Sequence, residues 1–192
     1  MIKYTKGCET MDWNELKESC ENCKKCNIGL KRKNCVFGCG NKNADIMFIG
    51  EAPGQTEDET GIPFVGLAGK HLDKFLCAVG IERDDVYIAN ILKCRPEGNR
   101  DPSDEEQDNC IDYLREQVKL IKPKLIVCLG RISAMRLIKP DFKITREHGI
   151  FHKKGNFTIT AVYHPSALLR DPAKNKDMYL DMKKIAEFIQ NN

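Results

Sequence analysis

The sequence predicts an α/β fold, a three-layer αβα sandwich around a mostly parallel four-stranded sheet. Short apolar runs alternate along the chain with segments of helical periodicity, a pattern typical of such sheets. The predicted strands cover residues 44–50, 86–92, 124–130 and 157–165. The composition predicts a packed core, because 41% of the 192 residues are hydrophobic and 31% are charged.

Four helices are predicted between and after these strands. The first, over residues 68–80, has an apolar face and ends at a glycine. The second begins at a capping box formed by Ser103 and Glu106 and ends before Pro123. A short helix follows the third strand, and an amphipathic helix covers residues 174–189.

The composition also limits location and partners. The formal net charge of +3 is compatible with a polyanionic partner but is too small to indicate one. The chain has no apolar run of about 18 residues or more and no apolar signal core near its N-terminus. We therefore expect a cytoplasmic monomer with no membrane partner.

The ten cysteines are the most unusual part of the composition. In a reducing compartment, so many cysteines more often bind metal than form disulfides. Six lie within the first 39 residues: Cys8, Cys20, Cys23, Cys26, Cys35 and Cys39. The C-x2-C-x2-C motif of Cys20, Cys23 and Cys26 can deliver thiolates to one centre. Cys77, on a helix face, and Cys128, in the third strand, are predicted to be small core residues.

The segment after the first strand, GEAPGQTEDETGIPFVGLAG (50–69), is predicted to be a ligand-binding loop. It combines five glycines and two prolines with several carboxylates and a single aromatic side chain, Phe64. Ligands of open parallel sheets bind beyond the carboxyl ends of the strands. The other strand ends carry Asn90, Arg131 and His164, so these side chains are predicted to meet the loop at one edge of the sheet.

Three segments resemble, in order and spacing, the family 4 uracil-DNA glycosylases, the iron–sulfur-containing branch of that superfamily. They are GEAPGQTEDETGIPFVGLAG, NILKCRPEGNRDPSDEEQDNC and HPSALLR, and the resemblance covers about residues 20–190. It implies a base-excision repair enzyme that flips uracil out of DNA and hydrolyses its N-glycosidic bond, leaving an abasic site. It also implies one domain over residues 1–192, with a Cys-rich lobe at about 8–40 clamped by a metal cluster.

The resemblance assigns a base pocket. Phe64 resembles the stacking platform, and Asn90 the residue that reads O4 and N3–H of uracil with its amide. His164 would stabilise the negative charge that develops on uracil O2. The alternatives are a core aromatic residue and an asparagine that caps a strand. The implied substrate-binding residues are Gly50, Glu51, Ala52, Gly54, Phe64, Asn90 and His164.

Two carboxylates are candidates for orienting the water and stabilising the sugar, Glu57 first and Glu51 second. The GQDPYH branch of the superfamily has an aspartate where this chain has Ala52, and family 4 lacks it too. Both glutamates are also compatible with solvated surface positions.

The segment after His164 resembles a loop that enters the minor groove and fills the gap left by the flipped base. Its implied DNA-binding residues are Ser166, Leu168, Leu169 and Arg170. An apolar wedge offsets part of the unstacking cost. The alternative is that these residues form the first turn of a helix.

The resemblance implies a [4Fe–4S] cluster bound by Cys23, Cys26, Cys94 and Cys110. The spacing also allows Cys20 with Cys23 as the first pair, and four thiolates suit zinc as well as iron–sulfur. Only the resemblance favours iron–sulfur. Two further functions stay open: a non-catalytic DNA-binding iron–sulfur member of the superfamily, and an electron-transfer protein, which leaves the pocket motifs unexplained.

Overall fold

The computed structural model describes residues 11–191, which form one sheet and nine helices. The strands are β1 Cys39–Gly40, β2 Ile46–Gly50, β3 Tyr87–Asn90, β4 Leu125–Leu129, β5 His152–Lys154 and β6 Phe157–Val162. The helices are α1 Trp13–Glu21, α2 Asn27–Lys31, α3 Gln55–Thr60, α4 Leu67–Ala78, α5 Asp104–Ile121, α6 Arg131–Leu137, α7 Ile144–Glu147, α8 Pro165–Arg170 and α9 Asn175–Gln190.

The sheet has the strand order β1-β3-β2-β4-β6-β5. The four central strands are parallel to one another, which confirms the four predicted strands and the mostly parallel sheet. Two short antiparallel strands, β1 and β5, add an edge on each side, so the sheet has six strands and not four. With two and three residues, they are too short to carry a recognisable alternating pattern.

Helices cover both faces of the sheet, which confirms the three-layer sandwich. Along β2, Ile46 and Phe48 pack with side chains of α4 and α9. Met47 and Ile49 point to the other face and pack with α5 and α6. Every residue of the four central strands is buried, as expected for parallel strands enclosed by two helical layers.

The loop predicted over residues 50–69 contains a helix that sequence reasoning missed. Gly54 precedes α3 as its N-cap residue, and Glu57 and Asp58 lie in its first turn. Carboxylates at this position favour a helix, because they face the positive end of its dipole. α3 has only six residues, so its apolar periodicity is too short to be seen in the sequence.

The remaining helix predictions agree with the structure, with one correction. The Ser103–Glu106 capping box begins α5 as predicted. Cys128 is buried in β4, but Cys77 is exposed on α4 and is not a core residue. The apolar face of α4 is formed by Leu72, Phe75 and Leu76, and Cys77 lies outside it.

The N-terminal segment packs against α5. Leu16 and Cys20 of α1 contact Phe37 and Tyr113 in a small apolar cluster. Cys8 lies outside the described residues, so the structure does not bear on its predicted place in the Cys-rich lobe. No helix within residues 11–191 is both long and apolar enough to cross a bilayer.

Candidate active site

A cavity of about 540 Å³ lies at the carboxyl edge of the sheet. The parallel register pairs Gly50 with Asn90 and Leu129 with Val162, so the segments that follow all four central strands begin at nearly the same level. The cavity is lined by Glu51, Ala52, Pro53, Gly54, Glu57, Phe64, Asn90, Asp101, Arg131, Tyr163, His164, Ser166 and Arg170, among others.

Most of the site residues predicted from the sequence lie in this cavity wall: Glu51, Ala52, Gly54, Glu57, Phe64, Asn90, His164, Ser166 and Arg170. Gly50 lies behind the wall, against Asn90 and Phe64. Leu168 is a correction, because its side chain is 1% exposed in the core between α4 and α9 and cannot enter a DNA groove. Leu169 is 47% exposed and is available for contacts outside the protein.

Phe64 has an unusual backbone conformation. Its φ angle is 53°, in the left-handed region that a bulky L-residue rarely adopts. A conformation of this kind persists only where surrounding contacts impose it, and it is often found at functional sites. It turns the phenyl ring into the cavity wall, 5.8 Å from the imidazole of His164 between ring centroids.

Several contacts hold Phe64 in this conformation. The carboxylate of Glu57 accepts hydrogen bonds from the backbone N–H groups of Val65 (3.0 Å) and Gly66 (2.8 Å). Arg83 donates to the carbonyl of Pro63 at 2.8 Å. Glu57 therefore holds the loop after Phe64 in place, and one of its two carboxylate oxygens accepts both of these hydrogen bonds.

Asn90 presents an acceptor to the cavity without a partner of its own. Its side chain is 1% exposed, and Oδ1 has no hydrogen-bond partner among residues 11–191. A buried acceptor without a partner costs about 1–3 kcal/mol. A Cβ at Gly50 would lie only 2.3 Å from this oxygen, so the glycine is needed to leave room for it.

His164 is held in one neutral tautomer. It is the N-cap residue of α8, and its Nδ1 accepts a hydrogen bond from the backbone N–H of Ser166 at 3.1 Å. Since Nδ1 is an acceptor, the ring proton is on Nε2. Burial, together with the charge of Arg170, lowers the pKa of His164 to about 4. The imidazole is therefore neutral near pH 7 and can donate from Nε2.

Glu51 has an altered acidity. Burial in the cavity wall raises the pKa of Glu51 to about 7, with a smaller contribution from the negative charge of Asp101. Arg131 opposes this shift and is itself paired with Asp101 at 2.6 Å. Sequence reasoning missed Asp101 and noted Arg131 only through its position after a strand. Their facing loops are distant in sequence and carry no shared motif.

The structure brings the four predicted cluster cysteines to one region. Cys94 belongs to the larger core cluster, and Cys26 and Cys110 pack against that cluster. Cys23 and Cys110 also pack against the small apolar cluster of α1. Cys110 is close enough to Cys94, Cys23 and Cys26 for charge on one sulfur to act on another. Arg32 donates to Sγ of Cys94 at 3.2 Å, and the backbone N–H of Lys93 donates to Sγ of Cys110 at 3.3 Å. N–H donors of this kind stabilise thiolates and are typical of iron–sulfur sites.

Burial is the main reason why the pKa values of the Cys94 and Cys110 thiols are raised. It raises the pKa of Cys94 to about 12, against the opposing effect of Arg32. It raises the pKa of Cys110 to about 11, and negative charge on Cys23 and Cys26 adds to the shift. A metal centre would supply the positive charge that four neighbouring thiolates need.

The arrangement differs from a site for a single ion. Within the described residues, no three His, Cys, Asp or Glu side chains form a group that could hold one metal ion. A [4Fe–4S] cluster makes a different demand, because each of four thiolates binds its own iron. Cys20 and Cys35 form a separate close pair, with their sulfur atoms 3.5 Å apart.

Comparisons with known proteins identify the family of the chain. Residues 37–187 match the family model of the uracil DNA glycosylase superfamily. A type-4 uracil-DNA glycosylase from Archaeoglobus fulgidus is 44% identical over 174 residues, covering 86% of this chain and 87% of that protein. One from Sulfurisphaera tokodaii is 42% identical over 182 residues (90% and 83%), and one from Thermotoga maritima 39% over 177 residues (90% and 92%).

The family match spans every segment that lines the cavity. The chain belongs to the uracil-DNA glycosylase superfamily and, within it, to the type-4 glycosylases.

The contact between α4 and the Phe64 backbone gives a first prediction. A Cβ at Gly69 would lie 1.8 Å from the carbonyl oxygen of Phe64, so Gly69→Ala must displace the strained residue. We expect uracil excision to fall by at least roughly 10-fold, with α-helical content retained. Single-turnover kinetics and circular dichroism measure the two effects.

Gly80→Ala is the matched control for this prediction. Gly80 follows the same helix with a φ of 73° but has no atom within 4 Å of its Cβ position. This variant should lose stability through backbone strain while keeping the parent excision rate. Equal rates for the two variants would show that the position of Phe64 does not matter for excision.

Proposed function

We propose that this chain is a uracil-DNA glycosylase, which takes a uracil nucleotide out of DNA and hydrolyses its N-glycosidic bond. The products are free uracil and an abasic site. The observation that carries the proposal is the buried, unpartnered Oδ1 of Asn90 in a cavity wall beside Phe64. The names of the type-4 relatives support it.

The cavity suits a flat base with one polar edge. Uracil N3–H would donate to Oδ1 of Asn90 and satisfy the buried acceptor, while the amide nitrogen donates to O4. Cytosine has an acceptor at N3 and a donor at C4, so it would leave Oδ1 unpaired and face the amide with a second donor. Phe64 would stack on the base, an interaction worth about 1–3 kcal/mol.

His164 is the proposed source of transition-state stabilisation. Cleavage of the bond from base to sugar leaves negative charge on uracil, mainly at O2, and positive charge on the sugar. The neutral imidazole, with its proton on Nε2, would donate to O2 as that charge develops. Because the pKa of His164 is lowered to about 4, the imidazole is already in its neutral form near pH 7 and need not lose a proton first.

The contacts of the two glutamates suggest different roles. Glu57, preferred from the sequence, already accepts two backbone hydrogen bonds in the Phe64 loop. Glu51 lies in the cavity wall with no such bond among the described contacts, and its pKa is raised to about 7. We propose that Glu51 orients the attacking water and stabilises the sugar cation, while Glu57 holds the base platform.

Helix α8 is the proposed contact with DNA. Ser166 and Arg170 line the cavity, and Leu169 is exposed at the far end of the same short helix. Leu169 would fill the space left by the flipped base, and Arg170 would contact a phosphate. Uracil-containing DNA is thus the proposed partner.

The four cysteines fit the proposed [4Fe–4S] cluster. Cys23, Cys26, Cys94 and Cys110 are brought together from the N-terminal segment, the strand β3 edge and α5, with N–H donors at two of the sulfurs. The cluster would supply a cross-link that ties residues 20–26 to the edge of the active site. The cytoplasmic location, the monomeric state and the single-domain extent over residues 1–192 stay predictions.

A non-catalytic member of the superfamily is the alternative. A pure binding protein has no need of a carboxyl group with a raised pKa in the same cavity as a histidine held as a neutral donor. Both features favour an enzyme over a binder. An electron-transfer protein would leave the cavity and its polar groups without a role.

The histidine gives the direct test of the proposed activity. Incubation with an oligonucleotide that contains one uracil, followed by alkali, should cleave the strand at that position. His164→Ala should lower the single-turnover rate by roughly 100- to 1000-fold, the usual cost of removing one such donor. DNA binding, measured in parallel, should change little because phosphate contacts supply most of it. An unchanged excision rate would show that His164 only caps α8 and takes no part in the reaction.

The glutamates give a prediction about pH. If Glu51 must be ionised, the single-turnover rate rises with pH through about 7, the value to which burial raises its pKa. His164, with a pKa of about 4, stays neutral over this limb. Glu51→Gln should be slow at every pH and lack the limb, whereas Glu57→Gln should keep the limb at a reduced rate. The reverse pattern would make Glu57 the water-orienting group.

The cluster gives a prediction about colour. Protein purified without air should be brown, with a broad absorbance near about 400 nm. Alanine at Cys23, Cys26, Cys94 or Cys110 should remove the colour, whereas Cys77→Ala, an exposed position, should not. Cys20→Ala and Cys35→Ala should also keep it. Loss of colour in these two, with retention in Cys26→Ala, would identify a different ligand set, and colourless parent protein with stoichiometric zinc would replace iron–sulfur by zinc.

A further inference from the structure

Two exposed leucines lie beside the wall of the base cavity. Leu67 is the first residue of α4 and, at 76% exposure, the most exposed large apolar side chain among residues 11–191. The next residue, Ala68, lines the cavity. Leu169 is 47% exposed and is followed by Arg170, which also lines the cavity. Each leucine therefore adjoins the cavity wall without being covered by the protein.

The helix geometry directs both side chains toward the cavity. The Cα–Cβ bonds of a helix are tilted toward its N-terminus. α4 begins beside the cavity, and α8 begins directly after the cavity residue His164. Leu67 and Leu169 therefore lean toward the cavity ends of their helices. The two helices pack against each other in one apolar cluster, which fixes both leucines relative to the cavity.

The start of α4 is held by the same contacts that hold the base platform. Glu57 accepts a hydrogen bond at 2.8 Å from the N–H of Gly66, the residue before Leu67. In the first turn, Gly69 lies so close to Phe64 that a Cβ would be 1.8 Å from the carbonyl oxygen of that residue. Leu67 is thus presented by a fixed backbone, and a preformed contact loses little conformational entropy on binding.

A cation accompanies each leucine. Lys70 is exposed three residues after Leu67, a spacing that places both on one face of α4. Arg170 is exposed directly after Leu169. Within the described part of the chain, neither Lys70 nor Arg170 forms an ion pair. Apolar side chains flanked by unpaired cations are complementary to a polyanion that also offers apolar surface, as opened duplex DNA does.

We propose that Leu67 is a second apolar wedge for duplex DNA, which acts with Leu169 when uracil is flipped out of a base pair. The inference rests on the proposed function and deepens it, since it makes base-paired DNA the substrate class that this surface fits. A nucleotide that leaves a duplex loses its pairing and stacking partners, and apolar side chains offset part of that cost. α8 supplies one exposed leucine, because Leu168 is buried, and α4 supplies the other.

The alternative is that Leu67 has no partner, since single exposed apolar side chains are common on protein surfaces. Leu67→Ala separates the two explanations, because alanine removes the apolar side chain and favours the helix. Leu180→Ala is the matched control. Leu180 is 45% exposed on α9, and no residue of that helix lines the cavity.

The experiment measures single-turnover excision by the holoprotein from one uracil-containing oligonucleotide, as a single strand and as a duplex with adenine opposite the uracil. Leu67→Ala should lower the duplex rate by roughly 10-fold, because a contact with the opened duplex is lost. The single-strand rate should change by less than about 2-fold, since flipping costs least there. Inhibition by free uracil should not change, because Leu67 does not line the cavity. Leu180→Ala should match the parent on both substrates.

Two further variants of Leu67 keep the test independent of the alanine variant. Leu67→Met retains a long apolar side chain and should restore most of the duplex rate. Leu67→Gln retains the length without the apolar surface and should show the same loss on the duplex alone. If Leu67→Ala yields no folded protein, the contrast between these two variants decides.

Parent excision of the duplex by Leu67→Ala would overturn the inference. An equal fall on both substrates would also overturn it, because Leu67 would then only support the Phe64 loop. So would light scattering that shows a dimer for the parent and a monomer for Leu67→Ala, since a second copy would then cover the leucine. A parent protein that excises uracil from neither substrate refutes the proposed function itself, and this inference with it.

Discussion

The close approach of three groups at Gly50 is the constraint on which the pocket depends. A Cβ there would lie 2.3 Å from Oδ1 of Asn90 and 2.7 Å from Cζ of Phe64. The parallel register of β2 and β3 sets this geometry, because it pairs Gly50 with Asn90. A larger residue would have to displace the amide, the phenyl ring or both, so the glycine determines the shape of this part of the cavity.

Residues 90–94 lie between two regions in which burial changes the pKa values of side chains: the cavity and the cysteine region. On the cavity side, desolvation keeps a histidine neutral and makes a carboxyl group weakly acidic. On the cysteine side, it raises the pKa values of the Cys94 and Cys110 thiols and lowers the pKa of the buried Lys93. In both regions, burial thus favours the neutral form of the ionisable side chains.

Much of this arrangement could be predicted from the sequence, and the reasons for the exceptions are physical. The four central strands and the edge where they end follow from apolar runs and intervening helices, so Asn90 and His164 could be placed in one site. Local patterns do not report backbone strain, so the φ of 53° at Phe64 was not foreseeable. Nor do they report which backbone N–H groups a distant carboxylate will accept from, so the contacts of Glu57 with Val65 and Gly66 could not be predicted.

The predictions for Leu168 and Cys77 differ from the structure for the same reason. Leu168 and Cys77 both lie on helices of the outer layer, where a rotation by one position moves a side chain from the surface to the core. For a helix as short as α8, the sequence holds too few turns to define that rotation. The pair of Leu168 buried and Leu169 exposed is settled only by the packing against α4.

The capping of α8 by His164 has a mechanical consequence. The imidazole is tied to the first turn of the helix through Ser166, Leu168 anchors the middle in the core, and Leu169 and Arg170 emerge at the other end. The six residues of α8 are thus fixed in the core at Leu168 and carry the imidazole at one end and exposed side chains at the other. A displacement of the outer end therefore also moves the ring at the inner end, so the direction of the imidazole and the position of Leu169 and Arg170 are set together.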